Sequence, residues 1–188
     1  AFGYYAYKRP PANPLLDNLA EGEAALTPYV KIDASGITLI TPRADSGQGA
    51  YSVQALMIAE ELDVELDQIK VDPGVPSAAY YNTALAQESA PFPPTDDSFT
   101  ANTARGVMDA MMKFMGMDIT GGSTTVPDGY TKLRVAGAVA RETLKAAASQ
   151  KTGVAIGDLK TARGAVILPD GTSIAYTQLA GEAGQIEP

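Results

Sequence analysis

The chain has 188 residues, with 14 Lys+Arg against 22 Asp+Glu, a formal charge of −8, and no His, Cys or Trp. The missing His and Cys exclude Ser-His-Asp and Cys-His nucleophilic catalysis, His- or Cys-ligated zinc, iron–sulfur and haem sites, and disulfides, so a metal held by the chain's own side chains would need oxygen ligands. The acidic balance argues against a general phosphate-backbone binder, and no run approaches the ~18 consecutive apolar residues of a membrane span.

In chain order, the first seven residues carry Phe2, Tyr4, Tyr5 and Tyr7, and Lys8-Arg9-Pro10-Pro11 follow directly. Aromatics abutting basic residues match a chain leaving a membrane segment for the headgroup layer; the alternative is an aromatic arm packing on its own domain. No charged segment with a cleavage site precedes them, so the expectation is a signal or anchor already removed and a piece of a longer protein. Residues 1–28 read as an extended arm, Pro- and Asn-rich from Pro10, and 29–188 as a single domain. Val30 to Asp33 and Ile37 to Arg43, around Ala34-Ser35-Gly36, predict a hairpin. Ala55, Ile58, Ala59 and Leu62 predict a helix after Gly49, and Gln68 to Val71 a strand stopped by Pro73-Gly74.

Between about Pro76 and Asn102 little periodicity is visible, which suggests a covering loop or a segment ordered by a partner. A helix from about Thr103 to Met115 carries Met108, Met111, Met112 and Met115 on one stripe, either soft core filling or a face for a partner. The long helix from about Pro127 to Lys151 has Leu133, Gly137, Ala140 and Leu144 on one face, with small neighbours that permit close packing, and Gly153 ends it. Leu159 to Leu168 and Ser173 to Tyr176 read as a hairpin around Pro169-Asp170-Gly171, before a short helix from about Thr177 to Ala183. The element order predicts an α+β fold with a short mixed or antiparallel sheet.

Two Gly-rich turns each open a helix: Asp45-Ser46-Gly47-Gln48-Gly49, and Thr120-Gly121-Gly122-Ser123-Thr124-Thr125. Glycine lets a ligand approach the backbone, and the free amides and dipole of a helix start favour negative charge, so both turns are candidate anion cradles. Ser and Thr in the second turn are equally suited to plain N-capping. Gln48, flanked by Gly47 and Gly49, displays an amide that can donate to an oxo group. Neither turn fits the P-loop or dinucleotide fingerprints. Glu60-Glu61, Asp63, Glu65 and Asp67 read as a solvated face. Asp96-Asp97 alone rarely completes a cation site, and no paired acid/base constellation is assigned.

The runs "ITLITPRADSGQGAYSVQALMIAEELDVELDQIKV" and "TGGSTTVPDGYTKLRVAGAVARETLKAAA" together resemble the molybdopterin-binding large subunits of the xanthine dehydrogenase and aldehyde oxidase family. The likeness is to the isoquinoline 1-oxidoreductase β-subunit type, also called membrane-bound aldehyde dehydrogenase. The flanking "FGYYAYKRPPANPLL" is similar to the segment after that type's export signal. Ser46, where Met is common, and Pro127, often polar or basic in relatives, depart from the pattern.

The resemblance implies that Gln48 hydrogen-bonds an oxo ligand of molybdenum, with Gly47 and Gly49 allowing close approach. It implies that Gly121, Gly122, Ser123 and Thr124 cradle the phosphate-bearing end of molybdopterin, in its cytosine dinucleotide form. Implied partners are a small iron–sulfur subunit, a cytochrome c subunit and the remainder of the large subunit, in a periplasmic, membrane-associated enzyme oxidising aldehydes or N-heterocycles with water-derived oxygen. Family large subunits are several times longer and their catalytic glutamate lies downstream, so no catalytic residue is assigned and the chain alone is expected to be inactive. Self-association through its Met stripe is expected. The competing expectation is a stand-alone anion- or nucleotide-binding module, or a protein-interaction module, without catalysis.

Overall fold

The computed structural model describes residues 10–93 and 95–186. The expectations for the aromatic cluster and for Lys8-Arg9 therefore lie outside the described residues. A four-stranded sheet runs in the order β1 (Ala24–Thr27), β2 (Val30–Asp33), β3 (Gly36–Ile40) and β4 (Ile69–Asp72). The first three strands form an antiparallel meander, closed between β2 and β3 by the Asp33 carboxylate, which accepts from the amides of Ser35 and Gly36. β4 adds parallel to β3, which requires a crossover, and helix α1 (Ala50–Leu62) supplies it. The sheet is thus mixed, as expected, and the fold is α+β.

β1 corrects the reading of residues 10–28 as an extended arm. Its four residues pair with β2, and Asn13 Nδ2 donates to the Ala25 carbonyl at 3.3 Å, which ties the preceding 3-10 turn, Pro14–Asn18, to the same edge. Ala24-Ala25-Leu26-Thr27 is too short and alanine-rich to signal a strand alone; pairing and the burial of Leu26 decide it.

The segment from 76 to 102 is also more structured than its pattern suggests. It holds a short helix, α2 (Ala84–Glu88), and the start of α3 (Phe99–Met115), whose N-cap Ser98 accepts from the Ala101 amide. The longest helix, α4 (Thr125–Thr152), begins before Pro127, which sits in the first turn where a missing N–H is tolerated. The Met stripe does not form one environment. Met112 is buried, Met108 half-buried, and Met111 and Met115 are exposed.

The expected C-terminal hairpin is a three-stranded antiparallel sheet of β5 (Lys160–Ala162), β6 (Ala165–Ile167) and β7 (Ser173–Ala175), followed by α5 (Tyr176–Ala183). The break inside the first expected strand is a two-residue turn at Arg163-Gly164, both at positive φ, the conformation that tight hairpins favour.

α1 and α4 cross closely over the sheet. A Cβ at Gly137 would lie 2.4 Å from the Ile58 carbonyl oxygen, so only glycine allows this approach. Ile58 and Leu62 from α1, Leu133, Ala140 and Leu144 from α4, and Val30, Ile32 and Leu39 from the sheet share one core.

Candidate functional site

The two Gly-rich turns lie next to each other. The Ala44 amide, just before the first turn, donates to Thr120 Oγ1, just before the second, at 2.9 Å across 76 residues of sequence. Gly47, Gln48, Gly49, Gly121, Gly122 and Ser123 are all exposed, while Thr124 is buried beneath them. A side chain at Gly47, Gly49 or Gly121 would meet nothing within 4 Å, so the backbone of both turns faces open space.

The first turn is organised by its own acid. Asp45 accepts from the amides of Gly47 at 2.7 Å, Gly49 at 3.3 Å and Tyr51 at 2.9 Å. The amide of Tyr51, then that of Gly47, does most to hold this carboxyl below the usual carboxylate range. A carboxylate from the chain itself therefore occupies the start of α1, which removes the first turn as a cradle for a second anion. Gln48 folds back over the same loop. Its Nε2 donates to the Ala44 carbonyl at 2.9 Å, and its Oε1 accepts from the Ser46 amide at 2.6 Å and hydroxyl at 3.1 Å.

The second turn is locked from below. Thr124 Oγ1 donates to the Gly121 carbonyl at 2.6 Å and accepts from Asn82 Nδ2 at 2.8 Å, and Asn82 also donates to the Ile119 carbonyl. Behind these glycines stand the aligned peptide dipoles of α4, a helix of 28 residues, and the Glu88 carboxylate lies beside Gly122, 3.7 Å from where a Cβ on that glycine would sit.

A buried polar network fixes both turns relative to each other. Gln54 on α1 accepts from the Arg43 amide and donates to the Arg43 carbonyl, each at 3.1 Å, so the chain entering the first turn is held as if paired in a sheet. The Arg43 side chain pairs with Asp118 and, at 2.9 Å, with Asp128 on α4. Asp128 accepts further bonds from Lys132 at 2.7 Å and from the amide and hydroxyl of Thr83. Lys132 also donates to the Tyr81 carbonyl and lies 3.9 Å from the centre of its ring.

Burial pushes the Asp128 carboxyl up, but Lys132, Arg43 and the Thr83 amide together outweigh it, and its pKa lies below the usual value. Asp118 goes the other way: burial raises it, Arg43 only partly opposes, and the neighbouring Asp128 charge adds to the rise. Lys132 is lowered, chiefly by burial.

Arg43, Gln54, Asn82, Asp118, Asp128 and Lys132 escape sequence reasoning, because the bonds joining them span up to 85 positions. The one local signal is Asp128 and Lys132 at helical i,i+4 spacing. The acidic group near the end of α1 is more than a solvated face: Glu61 pairs with Arg134 and Arg141 of α4, and Asp63 with Arg141. Asp96 caps the Ser98 amide, and among the described residues no group of three acidic side chains is placed to hold a metal. No described helix is long and apolar enough to cross a membrane.

What the fold and site define is an α+β scaffold presenting two hydrogen-bonded glycine turns on one surface. No family model matches the chain. The chain is 29% identical over 147 residues to the isoquinoline 1-oxidoreductase subunit beta of Brevundimonas diminuta, an alignment covering 77% of this chain. The chain spans about 15% of the length of that curated relative. The match supports a distant relation to an oxidoreductase subunit.

Proposed function

We infer that the chain is the cofactor-binding portion of a molybdenum hydroxylase that oxidises aldehydes or N-heterocycles with water-derived oxygen. The observation that carries this reading is the bond from Ala44 to Thr120, which makes one surface of the two turns that carry the family resemblance. The distant relation to an isoquinoline 1-oxidoreductase subunit supports it. In this reading the bound molybdenum–pterin group supplies the two-electron redox chemistry.

The residues present fit such a group. The open space over Gly47, Gly49 and Gly121 lets it reach the backbone. Gln48 Nε2 spends one N–H on Ala44 and has a second to offer an oxo oxygen. Because Asp45 fills the start of α1, the phosphate-bearing end belongs at Gly121, Gly122, Ser123 and Thr124, where the start of α4 favours negative charge. The buried network of Arg43, Asp128 and Asn82 keeps the two turns at fixed separation, so orientation is set before the cofactor arrives. The rest of the large subunit, an iron–sulfur subunit, a cytochrome c subunit and a periplasmic, membrane-associated setting complete the proposal.

In the cofactor-loaded holoenzyme, Gln48→Ala should lower turnover by roughly 100-fold, as loss of a preorganised donor does elsewhere. Melting temperature and cofactor content should not change. Unchanged turnover would overturn the role of Gln48, and molybdenum-dependent aldehyde oxidation by the 188-residue chain alone would overturn its assignment as an inactive portion.

A further inference from the structure

Helix α3 is amphipathic in the wrong sense for a helix at a protein surface. Its three charged residues, Arg105, Asp109 and Lys113, share one side. From that side Arg105 donates to the carbonyls of Asp96 and Pro93, and Asp109 accepts from Gln87. The outward side carries Phe99, Val107, Met111, Phe114 and Met115 at helical spacing, with Phe99 87% and Phe114 92% exposed. The positions between them, Thr100, Thr103, Ala104 and Ala110, are uncharged. A monomer of net charge −8 thus keeps one helix face of about 25 Å free of charge and turned to water.

We propose that this face is the contact surface of a symmetric dimer, in which α3 of one copy packs antiparallel on α3 of a second about a two-fold axis near Val107. The profile of the helix is self-complementary in that arrangement. Phe99 lies at one end and Phe114 and Met115 at the other, while Thr103, Ala104, Val107 and Ala110 occupy the middle. Small residues at the axis let the backbones approach, and Phe99 of each copy meets Phe114 of the other at the ends.

The five large side chains present on the order of 600 Å² per copy, so full mutual coverage removes at most about 1,200 Å², near the lower end of specific interfaces. A two-fold contact sets every residue near its axis against its own copy, so any charge there would repel itself; the stripe carries none. The two −8 chains repel at long range while the contact itself is apolar, so salt should strengthen the dimer. This surface is separate from the glycine turns and stands whether or not they bind a cofactor.

Sedimentation equilibrium of the 188-residue chain tests the proposal. The expected result is a monomer–dimer equilibrium at tens of micromolar that shifts toward dimer with added sodium chloride. Val107→Glu should weaken association at least tenfold with an unchanged circular dichroism spectrum. Because the chain contains no cysteine, Val107→Cys offers an independent reading: under mild oxidation it should form a covalent dimer, whereas Leu56→Cys, exposed on α1, should not. A monomer at every concentration, or a dimer indifferent to Val107→Glu with no cross-link from Val107→Cys, overturns it. A monomer that floats with phosphatidylcholine vesicles overturns it in favour of a bilayer as the occupant.

Discussion

Asp128 has the most polar partners of any carboxylate beneath the two turns, because its two oxygens answer Arg43, Lys132 and Thr83 at once. Removing its charge leaves two cations without their shared partner in a place water hardly reaches. Asp128→Asn should therefore destabilise the fold by about 3 kcal/mol or more in urea titrations. Asp118→Asn should cost less than about 1 kcal/mol, since burial already disfavours the Asp118 charge. The two carboxylates also oppose each other in pH dependence. Asp128 is depressed, so its stabilisation is complete above the unfolded value of about 4 and is lost as pH falls through the lower folded value. Asp118 is raised, so its contribution is present below about pH 4 and is lost as pH rises through the folded value. Wild-type urea midpoints should fall on acidification below pH ~4 more steeply than those of Asp128→Asn. Parallel curves would remove Asp128 as the acid-sensitive group. None of this was legible in the sequence, where Arg43, Asp118 and Asp128 are ordinary charged residues. The two glycine turns were legible because their pattern is local.

Among the elements, the crossing of α1 and α4 is the tightest. Gly137→Ala would put a methyl group 2.4 Å from the Ile58 carbonyl oxygen, and neither backbone can yield without parting the helices from the sheet. A loss of about 1–3 kcal/mol is expected. Gly181, inside α5, meets nothing within 4 Å, so Gly181→Ala should instead stabilise by about 0.5–1 kcal/mol. Thermal melts of the pair, with opposite signs, check the crossing directly; equal shifts would contradict it. The small-residue stretch of α4 announced a close neighbour without naming it. Helices α1, α3 and α4 were readable because their apolar residues repeat along many turns. β1 and α2 were not, since four or five residues carry too little pattern and are held by pairing and by side chains such as Asn82.

At the scale of the whole molecule, α5 packs on α4 and on β1 and β2, and the three-stranded sheet before it is tied in near the end of α1. Tyr176, fully buried, donates to the Leu62 carbonyl at 3.0 Å, and the Gly164 amide donates to the Asp63 carbonyl at 2.9 Å. Tyr176→Phe leaves the Leu62 carbonyl short of a partner and should cost about 1–2 kcal/mol. Hydrogen exchange should quicken first in β5 to β7, and uniform quickening over all elements would show that the junction is not where the two sheets part. The sequence by itself determined the exclusion of His and Cys chemistry, the α+β class, the long helices and the two glycine turns. Each follows from composition or from a pattern repeated over neighbouring residues. Only the tertiary structure decided that the turns adjoin and that a network anchored on Arg43 and Asp128 holds them. Those facts rest on bonds between residues as many as 85 positions apart, and a local pattern does not encode the meeting of distant parts.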